Sequence, residues 1–279
     1  MKDDLYVAPS ASGGPVFKQG KVWLIGAGPG DPELLTLKAV KALRQAEVVL
    51  VDDLVAPQVL AYCPQARVVK VGKRGGCRST PQDFILRLML RHARQGRLVA
   101  RLKGGDPCVF GRAGEEARWL AGHGIACEIV NGVTAGFAAA SACGIPLTLR
   151  GVARGVTLIT AHAEDGSTPD WSSLAASGTT LVVYMGATRM QEIRAQLLAG
   201  GMHGATPVSM VENATLPRQR ECLSTLSDMV EDAAAFGLRS PAILVIGEVV
   251  AHAVRAAVPE RDEASGEFGQ SERKPLRRA

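Results

Sequence analysis

Five short runs rich in Val, Ile and Leu set the frame for the first half of this 279-residue chain. They are KVWLIG (21–26), EVVLVD (47–52), RVVKV (67–71), RLVARL (97–102) and IACEIV (125–130). Runs this short and this rich in β-branched residues read as buried strands. Helical stretches between several of them, such as the one around Glu115 to Ala121, give room for crossover connections, so the strands are expected to be mostly parallel. Loops at the C-terminal ends of such strands are where a site belongs. After the first strand, Asp31 is placed to cap a helix with Pro32 in its first turn, and Leu34, Leu37, Val40 and Leu43 mark one face.

A second series starts near Gly155: GVTLIT, TTLVVYM, ATPVSM, RECLST and AILVIG. A plausible helix separates the last two, spacings elsewhere are looser, and a mixed sheet with some antiparallel pairs is expected. The reading is a two-domain α/β chain: a flexible arm over 1–19, an N-terminal α/β domain over 20–150, a C-terminal α/β domain over 151–258 and a disordered tail over 259–279.

Composition narrows the function classes. An apolar fraction of 47% suffices for two cores, while 4% aromatic residues disfavour a stacking platform for nucleic acid. The net charge of +5 suits an acidic partner, and part of it sits in RKPLRRA, which has no interleaved aromatic; no nucleic-acid partner is expected. No apolar run approaches the roughly 18 residues of a membrane span, and the N-terminal residues hold no secretory run, so a soluble cytoplasmic protein is expected. The six cysteines include no C-x-x-C pair and the five histidines no zinc spacing, so neither disulfides nor a metal site is expected.

Gly26-Ala-Gly28-Pro-Gly30 after a strand, with Asp52 and Asp53 closing the next, leaves a dinucleotide site open. Asp31 stands against it, a negative charge where a pyrophosphate would approach, and Pro29 removes a loop N–H. A sulfonium donor has other needs: backbone carbonyls and apolar walls. Lys103-Gly104-Gly105-Asp106-Pro107 and Gly132-Val133-Thr134-Ala135, after the fourth and fifth strands, offer close backbone approach of that kind.

The segments GAGPGDPELLTLKA, VDDLV, VGKR, RLKGGDPCVFGRAGEE, NGVTAGFAAASACGIPLTLRG, VVYMG and SPAILVIGEVV occur in this order. Together they resemble the uroporphyrinogen-III C-methyltransferases of the tetrapyrrole methylase superfamily, in the stand-alone form, from about Lys21 to Val254. The resemblance implies a two-domain tetrapyrrole methylase fold, usually a homodimer, with S-adenosylmethionine bound in the cleft between domains and released as S-adenosylhomocysteine. It implies donor contacts at Pro29, Gly104, Gly105, Asp106, Val109, Thr134, Ala135, Met185 and Ala214. Family members more often carry Gly at the position of Ala214, an aromatic at that of Cys108 and His at that of Leu149. The implied reaction is dimethylation of uroporphyrinogen III to precorrin-2, for sirohaem, cobalamin or haem d1. Other methylases of the superfamily, acting on later corrin precursors or on protein or RNA, are the alternative.

That chemistry asks a protein to orient two partners, hold carboxylates and accept a proton. By the resemblance Asp52 and Lys73 are proton-transfer candidates; taken alone they read equally as a strand-end turn acid and an exposed lysine. Arg112 and Glu115, three apart at a helix start, face one side, as a surface ion pair would too. Arg150, after GIPLTL, suits a two-pronged bond to a carboxylate. Lys73, Arg74 and Arg78 extend a basic rim or a solvated loop.

Overall fold

The computed structural model describes residues 20–72, 80–162 and 167–254; the expected arm and tail lie outside the described residues. The first half runs β1 (Lys21–Gly26), α1 (Leu37–Gln45), β2 (Val48–Val51), β3 (Arg67–Lys70), α2 (Gln82–Arg94), β4 (Leu98–Lys103), α3 (Ala113–Gly122) and β5 (Ala126–Val130). All five strands pair in parallel, in the order β3-β2-β4-β1-β5. Alternation along the strands divides their side chains between two cores. Trp23, Ile25, Val49, Ala100 and Leu102 meet Ala39, Ala42 and Leu43 of α1. Val22, Leu24, Val48, Leu50 and Val99 meet Ile85 and Met89 of α2 and Leu120 of α3. At the β5 edge Glu128 takes Lys21, Lys38 and the Trp23 indole, and its two lysines hold its carboxyl down at about 2.

The helix expected from Pro32 is broken in two. Asp31 caps only a single 3-10 turn, Pro32–Leu34, accepting from Glu33 N at 2.8 Å. Leu35 and Thr36 are extended, and Thr36 caps α1 by accepting from Ala39 N at 3.1 Å. The restart rotates the buried face to Ala39, Ala42 and Leu43 and leaves Leu37 80% exposed. A second capping residue five positions on outcompeted the continuous apolar face.

The second half runs α4 (Ala135–Ala142), β6 (Val156–Thr160), α5 (Trp171–Ala176), β7 (Thr180–Tyr184), α6 (Met190–Ala199), β8 (Pro207–Glu212), β9 (Arg220–Thr225), α7 (Met229–Phe236) and β10 (Ala242–Ile246). The sheet is mixed, in the order β6-β7-β10-β8-β9, with β6 and β7 parallel and the rest antiparallel. One face packs on Trp171 of α5, Ile193 and Leu197 of α6 and Met229 of α7. The other receives Ala139 and Ala140 of α4 against Val182, Tyr184, Ile243 and Val245. So α4 follows the first sheet in sequence and packs on the second.

Where β1, β4 and β5 end, three backbones touch. A Cβ on Gly132 would lie 2.3 Å from Gly105 O and 2.8 Å from Gly26 Cα, and one on Gly26 would lie 2.6 Å from Gly132 Cα. Backbone atoms on every side leave nothing flexible to yield. Gly132→Ala is expected to lower unfolding free energy by about 1–3 kcal/mol in urea titration, the usual cost of overpacking. Gly114, inside α3 with nothing within 4 Å of an added Cβ, is the counterpart: Gly114→Ala should raise stability by roughly 0.5–1 kcal/mol. Equal midpoints for the two variants would contradict this packing account.

Candidate active site

Loops from both sheets gather around the three-glycine contact. Above it Gly28 and Gly105 exchange backbone hydrogen bonds, Gly28 N donating to Gly105 O at 3.2 Å and Gly105 N to Gly28 O at 2.7 Å. Both glycines are left-handed, at φ 72° and 67°. Asp106 is buried and its carboxylate ties two loops together, accepting from Cys108 N at 2.7 Å and from Gly132 N at 3.0 Å. The glycines allow the approach and the aspartate fixes it. Gly104 lies under the loop after β2, where an added Cβ would be 2.9 Å from Leu54 Cβ.

The second sheet supplies the facing wall. Tyr184, at the end of β7, accepts a hydrogen bond from Gly136 N at 2.8 Å, and its hydroxyl lies 2.7 Å from Thr134 Oγ1. Burial pushes this phenol up from its usual range. Its ring meets Phe110 of the β4–α3 loop at 4.9 Å between centroids. Val109 and Ala135 pack against the core that contains Tyr184 and Ala214. The loop after β8 reaches the first glycine loop: Asp31 N donates to Thr215 Oγ1 at 3.0 Å, and Gly30 sits against Leu216 and the Ala214 carbonyl.

All five non-glycine residues with positive φ among the described residues, Phe110, Arg112, Met185, Asn213 and Thr215, belong to these loops. Such conformations cost free energy and persist only where the surroundings impose them, so they gather at sites. Here the imposing bonds are visible: Asn213 N donates to Pro241 O at 3.0 Å, and Thr215 N to Gln219 Oε1 at 2.6 Å. Met185, which follows Tyr184 at the end of β7, is 48% exposed.

Of the proton-transfer candidates, Asp52 is held by Arg101, Oδ1 to Nη2 at 2.7 Å, with 28% of its side chain exposed. Lys73, with Arg74 and Arg78, lies outside the described residues. Arg112 precedes α3 and pairs with Glu115, Nη2 and Nε standing 2.7 and 3.1 Å from one carboxylate oxygen. The arginine holds the Glu115 carboxyl below the usual range. The surface-pair geometry expected for residues three apart is therefore present at the cleft loop. Arg150 is exposed on a turn closed by paired bonds between Leu149 and Ala153. Its neighbours Leu149 and Val152 pack on the same core as Val109.

Sequence reasoning missed four residues: Tyr184, Arg101, Lys103 and Glu116. The last three form a buried charge cluster under the β4 loop. The signal was present in RLK, where two cations alternate along a strand whose neighbours are apolar. Among the described residues no group of His, Cys, Asp and Glu is arranged to hold a metal, and no helix is long and apolar enough to cross a membrane.

A family model for tetrapyrrole (corrin/porphyrin) methylases matches residues 21–230. A uroporphyrinogen-III C-methyltransferase of Pseudomonas aeruginosa is 72% identical over 230 residues, covering 82% of this chain and 94% of that protein. One from Pseudomonas fluorescens is 62% identical over 238 residues, 85% and 96% of the two chains. Siroheme synthase 2 of Aeromonas hydrophila is 49% identical over 85% of this chain and 51% of its own length. Among solved structures, the uroporphyrin-III C-methyltransferase of Thermus thermophilus complexed with S-adenosylhomocysteine superposes with a TM-score of 0.73 at 45% identity, covering 84% of this chain and 100% of that one.

The Tyr184 hydroxyl yields a prediction independent of any ligand. Tyr184→Phe strips an acceptor from the buried Gly136 N–H and a partner from Thr134. Unfolding free energy should fall by about 1–3 kcal/mol, the cost of stranding a buried polar group. Denaturation indistinguishable from the parent protein would remove this bridge from the account.

Proposed function

This chain belongs to the tetrapyrrole (corrin/porphyrin) methylase family, and on that premise we propose that its cleft methylates uroporphyrinogen III at C2 and C7, giving precorrin-2. The observation that carries the reading is the close approach of two loops: a Cβ on Gly105 would lie 3.6 Å from Ala135 N and 3.8 Å from Thr134 Cα, and Asp106 accepts from Gly132 N at 3.0 Å; Gly104, Met185 and Ala214 complete the proposed cradle. It fits a sulfonium nucleoside: glycine backbone where a side chain would intrude, an exposed methionine, and a buried Asp106 carboxylate already engaged by two N–H groups. Pro29 and Val109 complete the proposed donor contacts. Bound there, S-adenosylmethionine supplies an electrophilic methyl group and leaves as S-adenosylhomocysteine.

The chain's own residues have three tasks. They hold the attacking pyrrole carbon in line with the methyl group, which turns a bimolecular encounter into an oriented one. Arg112 and Arg150 hold substrate carboxylates, for which a planar guanidinium gives two parallel bonds. Asp52 accepts the proton that leaves the methylated ring, with Lys73 as the second proton-transfer candidate. Glu115 keeps Arg112 oriented, consistent with its two bonds to that guanidinium. The proposal extends to a homodimer in the cytoplasm, to a domain division near Gly151, and to a product used for sirohaem, cobalamin or haem d1.

Anaerobic incubation with donor and uroporphyrinogen III, followed by mass analysis, is expected to yield a dimethylated tetrapyrrole and two equivalents of S-adenosylhomocysteine. Folded, donor-binding protein that yields no dimethylated product would overturn the substrate assignment. Arg112 separates binding from chemistry. Arg112→Ala should leave donor affinity by calorimetry near normal and slow single-turnover methylation by ~10²–10⁴-fold. Arg112→Lys should recover little, because an ammonium keeps the charge and loses the fork. Normal turnover in Arg112→Ala sinks its role on the tetrapyrrole, and lost donor affinity moves the residue into the donor site.

A further inference from the structure

Arg101 and Lys103 stand two apart on β4, so both leave the sheet on one face, the face lined by Val22, Leu24, Val48, Leu50 and Val99. They are 2% and 6% exposed, and Glu116 of α3, which meets them, is fully buried. Glu116 Oε1 accepts from Gln82 Nε2 at 2.9 Å and from Lys103 Nζ at 3.1 Å, and Arg101 Nε stands 3.5 Å away. Its Oε2 is buried without a hydrogen-bond partner. Burying ions is expensive unless each is answered by an opposite charge, and apolar residues of similar size would often pack a core as well or better. A core that keeps three ions under a ligand loop invites a reason beyond stability.

Inside the core one carboxylate faces two cations. Burial, reinforced by the neighbouring Arg101 charge, lowers the Lys103 ammonium from its usual range. The second negative charge lies at the surface end of the cluster: Asp52 Oδ1 is 2.7 Å from Arg101 Nη2. Two basic side chains thus face two acidic ones, Glu116 and Asp52. Arg101 reaches both acids through one planar group, its Nε towards Glu116 and its Nη2 towards Asp52. Planarity fixes the angle between those directions, which a flexible ammonium does not. The Asp52 backbone is pinned as well, its N–H donating to Leu102 O at 3.2 Å. Two residues on, Leu54 rests on Gly104.

We infer that Arg101 is a positioning residue: held in the core against Glu116, it aims the Asp52 carboxylate at the cleft beside the Gly104–Gly105 loop. The inference rests on the proposed role of Asp52 as proton acceptor. Arg101 touches neither donor nor tetrapyrrole and acts only through that carboxylate. Gln82 and Lys103 hold the Glu116 anchor in turn.

A double-mutant cycle tests this on the full chain, with single-turnover methylation as the rate and donor affinity by calorimetry as the control for the cleft. Asp52→Asn is expected to slow methylation by ~10²–10⁴-fold. Arg101→Lys, which keeps the charge and loses the fork, should slow it about 10²-fold, the scale of a misplaced catalytic group, with donor affinity within about threefold. In the double variant the rate should equal that of Asp52→Asn within about threefold, because a residue acting through Asp52 has nothing left to act on. Multiplied losses in the double variant would overturn the positioning role while leaving Asp52 as acceptor. An unimpaired Asp52→Asn would instead remove the acceptor reading, and the inference with it. Full activity in Arg101→Lys would show that charge alone suffices and would also overturn it. Arg101→Ala supplies a second readout: millimolar guanidinium should restore part of its rate and methylammonium should not. Equal rescue by both counts against the fork. If Arg101→Ala does not fold, the cycle with Arg101→Lys decides.

Discussion

The cleft depends on one packing constraint: the backbones of Gly26, Gly105 and Gly132 occupy space that a single added carbon would fill. Strands β1, β4 and β5 are hydrogen-bonded neighbours, so their chains leave the sheet close together. A side chain on Gly26 or Gly132 would force the loops apart, and the left-handed backbone at Gly105 favours glycine there. With glycine in all three places the loops stack, Gly28 and Gly105 bridge, and Asp106 locks the β4 loop to the β5 loop through Gly132 N. The junction of these loops is thus built mainly from main chain. That suits a ligand recognised by carbonyls and shape more than by side-chain charge.

Much of the fold was legible in the sequence for a simple reason. Buried strands in a parallel sheet are apolar on both faces, and short apolar runs such as KVWLIG and RLVARL stand out from their surroundings. The mixed character of the second sheet was legible too, from its looser spacings between strands. Two features were hidden. The break between Leu34 and Leu37 turns on a competition between capping residues, which an apolar period cannot register. The docking of α4 on the far sheet is a tertiary choice by an alanine-rich helix with little sidedness of its own.

For the candidate site, the glycine loops stood out in the sequence because their glycines are unusual, and the family resemblance implied roles that spacing alone left open. The supporting residues were not readable in the same way. Tyr184 closes a run of apolar strand residues and matters through a hydroxyl whose partners, Thr134 and Gly136, are some 50 positions away. Arg101 and Lys103 look in sequence like the polar side of an amphipathic strand. Only the position of α3 reveals that their face is buried and that Glu116 waits there.

The contacts that join the two sheets have a mechanical consequence. They fall in two patches: Val109 and Phe110 against Tyr184 and its core, and Gly30 and Asp31 against the loop from Ala214 to Leu216. Two bodies fastened at two separated points keep one easy freedom, rotation about the line through both fastenings. Material lying on that axis hardly moves, while material far from it swings. The strand-end loops that hold Gly30 and Tyr184 carry these fastenings, so they lie near the stationary line.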